Sequence, residues 1–283
     1  MTATDDPRPL NAGVCGFPIA QSKSPVLFRH WFQRYGIAGN YLPLRVAPED
    51  FAEVLPGLLK AGFRGVNCTL PHKIMALELA DIVTDAARAV GAANTLTFSR
   101  DGEVVADNSD WFGFLQNVRS GCPAWVPGVG PAVMLGAGGA ARAGIHALLG
   151  AGSTEIRLTN RTRERAEKLA AFFGSKITVV DWAERSEAFA DASIIVNSTS
   201  LGMTGERSLE VSLDSAPKTA LVTDMVYNPL ETDLLRQARQ RGMPTVDGLG
   251  MLLHQARPGF LSWFGRDPEV TDDLRAACLG GAS

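Results

Sequence analysis

The chain has 283 residues, a length that suggests two domains and suffices for two buried cores. Hydrophobic residues make up 46% and charged residues 20%, a globular mixture rather than a disordered one. With a net charge of −3 and no basic run, nothing in the charge favours nucleic acid as a partner. The opening MTATDDPRPL is acidic and proline-broken, without the apolar core of a signal peptide. The weakly polar stretch from Pro131 to Gly152 is interrupted by Arg142 and His146 and does not read as a membrane span. Cysteines 15, 68, 122 and 278 form no CxxC pair and have no histidine at metal-ligand spacing. They read as reduced, small apolar side chains, so no metal is expected and the expected location is the cytoplasm.

Short apolar runs alternate with helical patterns, which predicts parallel α/β layers. In the first part, Pro25–Tyr35, Glu49–Lys60 and His72–Ala80 carry helical patterns, and Tyr41–Val46 and Arg64–Thr69 read as strands. Asn94–Ser99 and Glu103–Asp107 flank the turn Arg100-Asp101-Gly102 and should form a hairpin. The proline- and glycine-rich segment Gly121–Pro131 reads as a linker. Beyond it the alternation is regular. The strands expected are Ala132–Leu135, Glu155–Thr159, Lys176–Val180, Ser193–Asn197, Ala220–Asp224 and Pro244–Val246, with helices such as Thr162–Phe173 and Thr232–Arg241 between them. Such a series matches a doubly wound, Rossmann-type sheet with right-handed crossovers. After Gly250 the pattern is helical to the end, and those helices should fold back onto the first domain. The division expected is therefore a substrate-binding domain of residues 1–110 and 249–283, and a nucleotide-binding domain of residues 111–248.

Ala-Val-Met-Leu runs into Gly136-Ala137-Gly138-Gly139-Ala140-Ala141, a fit to G-x-G-x-x-A. Gly136 permits a tight strand-to-helix turn, Gly138 lets the backbone approach a pyrophosphate, and Ala141 lets the helix pack closely on the strand. The helix N-terminus then offers free N–H groups to the phosphates. At the end of the next strand, an NAD site would carry Asp or Glu for the ribose hydroxyl. The chain instead has Asn160-Arg161-Thr162, with Arg163 and Arg165 following. Guanidinium groups suit a 2′-phosphate, so the expected cofactor is NADP(H) and the expected class is an oxidoreductase.

Three further clusters have chemical potential. Ser22-Lys23-Ser24-Pro25 leads into a helix, with Ser24 expected as N-cap and Pro25 as the first helical residue. Two hydroxyls beside a helix N-terminus make a neutral cradle for a carboxylate, and capping does not explain Ser22. Asn67-Cys-Thr69-Leu-Pro71-His-Lys73 places one lysine just past a proline turn. Asn94-Thr95 and Asp107-Asn108-Ser109-Asp110 complete the set.

The ordered motifs SKSP at 22–25, NCTLPHK at 67–73, GAANT at 91–95, NSDWFGF at 108–114, GAGGAARA at 136–143, NRT at 160–162, NSTSLGM at 197–203, DMVYNP at 224–229 and DGLGMLLHQA at 247–256 resemble the shikimate dehydrogenase family over nearly the whole chain. The resemblance implies reversible reduction of 3-dehydroshikimate to shikimate by NADPH, in aromatic amino-acid and chorismate biosynthesis. It implies that Ser22 and Ser24 hold the substrate carboxylate and that Thr69, Asn94, Asp110 and Gln255 bind the ring hydroxyls. Lys73 and Asp110 would form the catalytic pair. Gly136, Gly138, Gly139 and Ala140 would cradle the pyrophosphate, and Asn160, Arg161, Thr162 and Arg165 would read the adenosine phosphate. Tyr227, Gly248 and Met251 would lie near the nicotinamide and the substrate.

Some positions depart from the commonest family pattern. Trp111 follows Asp110 where glycine is frequent, Ser109 stands where threonine is usual, and Ser200 where proline is common. A paralogue acting on quinate or an amino-substituted shikimate stays open, as does a non-catalytic metabolite sensor of the same fold. The partner expected is the small-molecule substrate, with no nucleic acid or membrane, and the chain is expected to be a monomer or homodimer.

Overall fold

Asn11–Gly16 forms a strand, β1, buried along its last five residues and paired in parallel on both sides. It belongs to the first of two units of the chain, which a computed structural model describes over residues 10–280. That unit ends at Ser109 and resumes at Leu252; the second is Asp110–Met251. After β1 come α1 (Ser24–Tyr35), β2 (Asn40–Arg45), a single 3-10 turn, α2 (Phe51–Lys60), β3 (Gly65–Cys68), α3 (Lys73–Glu78), β4 (Ile82–Val83), α4 (Asp85–Val90), β5 (Thr95–Phe98) and β6 (Val104–Asp107). The six strands run in the order β2-β1-β3-β5-β6-β4. β5 and β6 form the expected antiparallel hairpin, and β3 also meets β5 antiparallel. The ends of β3 and β6 thus meet at Asn94, which precedes β5: the Cys68 N–H donates to Asn94 O at 2.8 Å and the Asn94 N–H to Asp107 O at 3.1 Å.

The second unit holds α5 (Asp110–Gly121), β7 (Ala132–Leu135), α6 (Gly139–Ala151), β8 (Ile156–Thr159), α7 (Arg163–Phe173), β9 (Ile177–Val180), β10 (Ile194–Asn197), β11 (Leu221–Asp224), α8 (Asp233–Gln240) and β12 (Thr245–Val246). Its order is β12-β11-β10-β7-β8-β9, and every pairing is parallel. The chain winds outward from β7 through β8 and β9, then returns to the other side of β7. Strand order therefore reverses between β7 and β10, the place where doubly wound sheets bind ligands beyond their carboxyl ends. Each residue of β7, β10 and β11 is buried, as parallel strands covered on both faces require. Alternate residues feed opposite cores: Ala132 and Met134 pack with Ile145 and Leu148 of α6, Val133 and Leu135 with Phe189 and Leu235.

Two helices finish the chain, α9 (Leu249–Phe264) and α10 (Asp272–Leu279). From Leu252 onward they belong to the first unit, where α9 lays Phe260 and Phe264 on Phe28, Trp31 and Phe32 of α1. Burying each such ring contributes roughly 1.5–3 kcal/mol. Trp31 Nε1 donates to Glu269 O at 2.9 Å and Lys23 Nζ to Cys278 O at 2.7 Å, so both ends of α1 are tied to the tail. Among the described residues no helix is long and apolar enough to cross a membrane.

Candidate active site

β7 delivers the chain into the glycine turn at the strand reversal. Gly136 has φ +107°, and a Cβ there would stand 2.7 Å from Ser198 Oγ and 2.9 Å from Thr199 Cγ2 at the end of β10. Glycine at 136 is therefore demanded by the fold itself. Gly138 differs. Its backbone is extended, and a Cβ there would meet no atom of the described residues within 4 Å. Nothing in the chain forbids a side chain at 138, so the constraint is set by what comes to occupy that space. Gly138 is the N-cap of α6 and makes no side-chain capping bond, leaving the first N–H groups of α6, from Gly139 and Ala140 onward, directed at the same opening. Ala141 is fully buried against the sheet. A phosphate group fits this cradle.

β8 ends at the buried Thr159, and Asn160 Nδ2 donates to Thr162 O at 2.8 Å to turn the chain into α7. The three arginines that follow are not equivalent. Arg163 is committed, with Glu167 at 2.8 Å and Asp181 at 2.5 Å. The exposed guanidinium groups of Arg161 and Arg165 make no ion pair or hydrogen bond among the described residues. Thr162 caps α7 without using its side chain, so its hydroxyl also stays available.

In the first unit the structure corrects the expected cap. Lys23 is the N-cap of α1 and Ser24 its first residue. Ser22 Oγ accepts the Ser24 N–H at 3.3 Å, so Ser22 serves the helix end and Ser24 does not. The Ser24 side chain instead neighbours Tyr41, whose phenol burial pushes well above its ordinary pKa. Tyr41 Oη donates to Asn67 Oδ1 at 2.7 Å, and Asn67 Nδ2 donates to Thr95 Oγ1 at 3.0 Å and Asn94 O at 3.1 Å. From Thr95 the network passes to the Asn94 carboxamide, to Ser109 and to the Gln255 carbonyl. Asn94 and Gln255, two expected substrate residues, are thus joined by buried and half-buried hydrogen bonds, in a network that also reaches Tyr41 beside Ser24. Tyr41 and Ser109, which belong to that network, were not among the expected site residues; Asn67, a polar residue inside an otherwise buried strand, was the available signal.

Thr69 follows β3, held by its N–H to Cys15 O at 2.9 Å, and its hydroxyl has no partner among the described residues. Lys73 opens α3 just after the cis Leu70–Pro71 bond, and its carbonyl accepts the Ala93 N–H at 2.8 Å. Its positive charge acts on the Cys68 thiol, which burial nevertheless pushes up.

The second unit carries the remaining residues. Asp110 begins α5 and is 1% exposed. Trp111 beside it packs edge-on against His146 of α6, ring centroids 5.5 Å apart, and adds to the core of this unit. Asn117, two turns along α5, donates to Asp247 O at 2.6 Å and so grips the turn that opens α9. In that turn a Cβ on Gly248 would stand 2.6 Å from Val226 O and 2.7 Å from Asp224 O, so only glycine seats it on the backbone that leads to Tyr227. Met251 lies in the first turn of α9, mostly buried.

Asp224 organises this region. Its carboxylate accepts from Asn197 Nδ2 at 2.9 Å, Val226 N at 2.9 Å and Thr232 Oγ1 at 2.7 Å, while burial pushes its pKa up to about 6. A carboxyl with a raised folded pKa stabilises fully below its unfolded value and loses that stability as pH rises through about 6. The loss amounts to roughly 3 kcal/mol for a shift of about two units. Asp224→Asn keeps the shape, and the Thr232 hydroxyl can turn to accept from the new amide. Urea unfolding at pH 4 and pH 7.5 should therefore show wild type losing roughly 3 kcal/mol relative to the variant across that interval. Parallel pH profiles for the two proteins would rule the effect out.

Among the described residues no group of three or more His, Cys, Asp or Glu could hold a metal ion. A family model described as the shikimate dehydrogenase substrate binding domain matches residues 14–96, and one described as shikimate / quinate 5-dehydrogenase matches residues 130–226. A shikimate dehydrogenase (NADP(+)) of Roseobacter denitrificans is 58% identical over 269 residues, covering 95% of this chain and 97% of its own. A shikimate 5-dehydrogenase of Thermus thermophilus, solved with NADP(H) and shikimate, is similar with a TM-score of 0.85 and 34% identity, over 96% of this chain and 99% of that one. A quinate dehydrogenase of Corynebacterium glutamicum, solved with NAD, is similar with a TM-score of 0.88 and 29% identity, over 96% and 99%.

Proposed function

The chain belongs to the shikimate dehydrogenase family, and from that membership we propose that it interconverts 3-dehydroshikimate and shikimate with NADP(H), as a step of aromatic amino-acid and chorismate biosynthesis. The observation that carries the reading is a combination within one chain. An open glycine cradle lies in the same unit as two uncommitted arginines, and the other unit retains Ser22, Ser24, Thr69, Lys73, Asn94 and Gln255.

Gly136, Gly138, Gly139 and Ala140 hold the pyrophosphate of the dinucleotide, and Asn160, Arg161, Thr162 and Arg165 hold its 2′-phosphate. Tyr227, Gly248 and Met251 border the nicotinamide and the substrate. When bound, the cofactor supplies or takes the hydride. Everything else falls to the protein. Ser22 directs its hydroxyl proton at the substrate carboxylate, since its oxygen already accepts the Ser24 N–H. Ser24, beside Tyr41, joins it in holding the carboxylate. Thr69, Asn94 and Gln255 bind ring oxygens. As a carbonyl is reduced, negative charge builds on its oxygen, and Lys73 donates the proton that neutralises it. Asp110 orients that amine and anchors the adjoining hydroxyl; in the oxidative direction the same lysine takes the proton back.

A quinate-directed reading has one specific support, the likeness to a quinate dehydrogenase solved with NAD. Against it stands the end of β8, which offers guanidinium groups and no carboxylate between Thr159 and Arg163. Steady-state kcat/KM for shikimate and quinate, each with NADP+ and NAD+, separates the two. Shikimate with NADP+ should lead the set; preference for quinate or NAD+ overturns the assignment, and silence with every pair returns the sensor reading. All four cysteines are free thiols, and we place the enzyme in the cytoplasm, where thiols stay reduced.

A further inference from the structure

One residue of the first unit bonds at once to two positions proposed to bind substrate. Ser109 is 2% exposed, and its backbone N–H donates to Asn94 Oδ1 at 2.8 Å. An N–H can only donate, so the carboxamide atom facing it must be the oxygen. The Thr95 hydroxyl donates to the same oxygen at 3.0 Å. A carbonyl oxygen has two lone pairs, and both are taken. The Ser109 hydroxyl has one proton and three candidate acceptors, Gln255 O at 2.8 Å, Asn94 Oδ1 at 3.2 Å and Thr95 Oγ1 at 3.4 Å, whose own proton already goes to Asn94 Oδ1. The shorter bond to Gln255 wins, because the amide oxygen is already filled. Ser109 Oγ then accepts from Asn94 Nδ2 at 3.0 Å.

We infer that Ser109 is a positioning residue: it fixes the Asn94 carboxamide with its amide toward the ring and fastens it to the stretch of α9 that carries Gln255. Asn94 therefore meets the substrate as a hydrogen-bond donor, and the ring oxygen it meets must accept. Without the Ser109 hydroxyl, Nδ2 loses its acceptor and the Gln255 carbonyl its extra donor, while the Ser109 backbone N–H remains. The carboxamide is then held from one side only, and the two substrate residues are no longer in register. The inference rests on shikimate being the ring substrate.

The test is steady-state kinetics of the full chain with shikimate and NADP+, on wild type, Ser109→Ala and Ser109→Thr. KM for shikimate should rise roughly tenfold in the alanine variant, the effect of losing one to two buried hydrogen bonds. Its kcat should stay close to wild type and its KM for NADP+ unchanged, and Ser109→Thr, which keeps the Oγ, should restore KM for shikimate. Ser109→Cys, of similar shape with a feeble thiol donor, should give the same rise in KM and covers an alanine variant that melts early. An unchanged KM for shikimate overturns the inference. So does an equal rise for both substrates, which marks general loosening, or failure of threonine to rescue. Wild type inactive on shikimate overturns the functional reading and the inference with it, and that outcome is read before any variant is made.

Discussion

Lys73→Ala is expected to lower kcat for shikimate oxidation by about 10²–10⁴-fold, the range that a positioned acid–base group supplies. NADP+ binding should be nearly unaffected, since the glycine cradle and the arginines beyond β8 belong to the other unit. The fold should survive. Lys73 is half-buried, and its backbone carbonyl, which accepts the Ala93 N–H at 2.8 Å, is kept in the variant. Lys73→Arg makes the test sharper. A guanidinium keeps the positive charge but does not give up its proton in proteins. If Lys73 transfers a proton, arginine should be almost as inactive as alanine; if it only stabilises charge, arginine should recover much of the rate. Rates from absorbance and NADP+ affinity from calorimetry decide between these. Near-normal turnover in the alanine variant would remove Lys73 from the mechanism.

The second unit was legible in the sequence because its central strands β7, β10 and β11 are tetrads buried on both faces and helices α6, α7 and α8 carry their own period between strands. The first unit was less so. β1 was not predicted, although it lies between β2 and β3. Its sequence, Asn-Ala-Gly-Val-Cys-Gly, has poor strand propensity, with a glycine near its centre. That glycine is a tertiary requirement: a Cβ on Gly13 would stand 2.7 Å from Leu42 O of the neighbouring strand. β4 and α4 escaped for another reason. A strand of two residues has no periodicity to read, and α4 announces itself only through Thr84, whose hydroxyl accepts the Ala87 N–H at 3.2 Å. The cap of α1 was placed one residue late because local preference favours serine over lysine at that position. Tyr41, distant in sequence, neighbours the serine side chain. The same limit left Ser109, noted in the sequence, without a role. Its two partners are a carboxamide and a main-chain carbonyl far along the chain, and a carbonyl has no sequence signature at all.

Arg161→Ala combined with Arg165→Ala should lower kcat/KM for NADP+ by about 10²–10³-fold, taking charge-assisted bonds to a phosphate as worth about tenfold or more each. The same double variant should act on NAD+ much as wild type does, because only the 2′-phosphate distinguishes the two cofactors. Arg163→Ala supplies the internal control. It lies between them in sequence and is also exposed, but its guanidinium already answers Glu167 and Asp181. Ion pairs so exposed contribute little to stability, so its removal should leave both the fold and the NADP+ preference in place. Salt gives an independent reading. Exposed charges are screened within about 10 Å at 0.1 M ionic strength, so KM for NADP+ should climb with salt in wild type and much less in the double variant. Equal losses for NADP+ and NAD+ would mean that the substitutions damaged α7 rather than phosphate recognition, and a loss in Arg163→Ala as large as in the double variant would move the recognition to the arginine that the structure shows to be occupied.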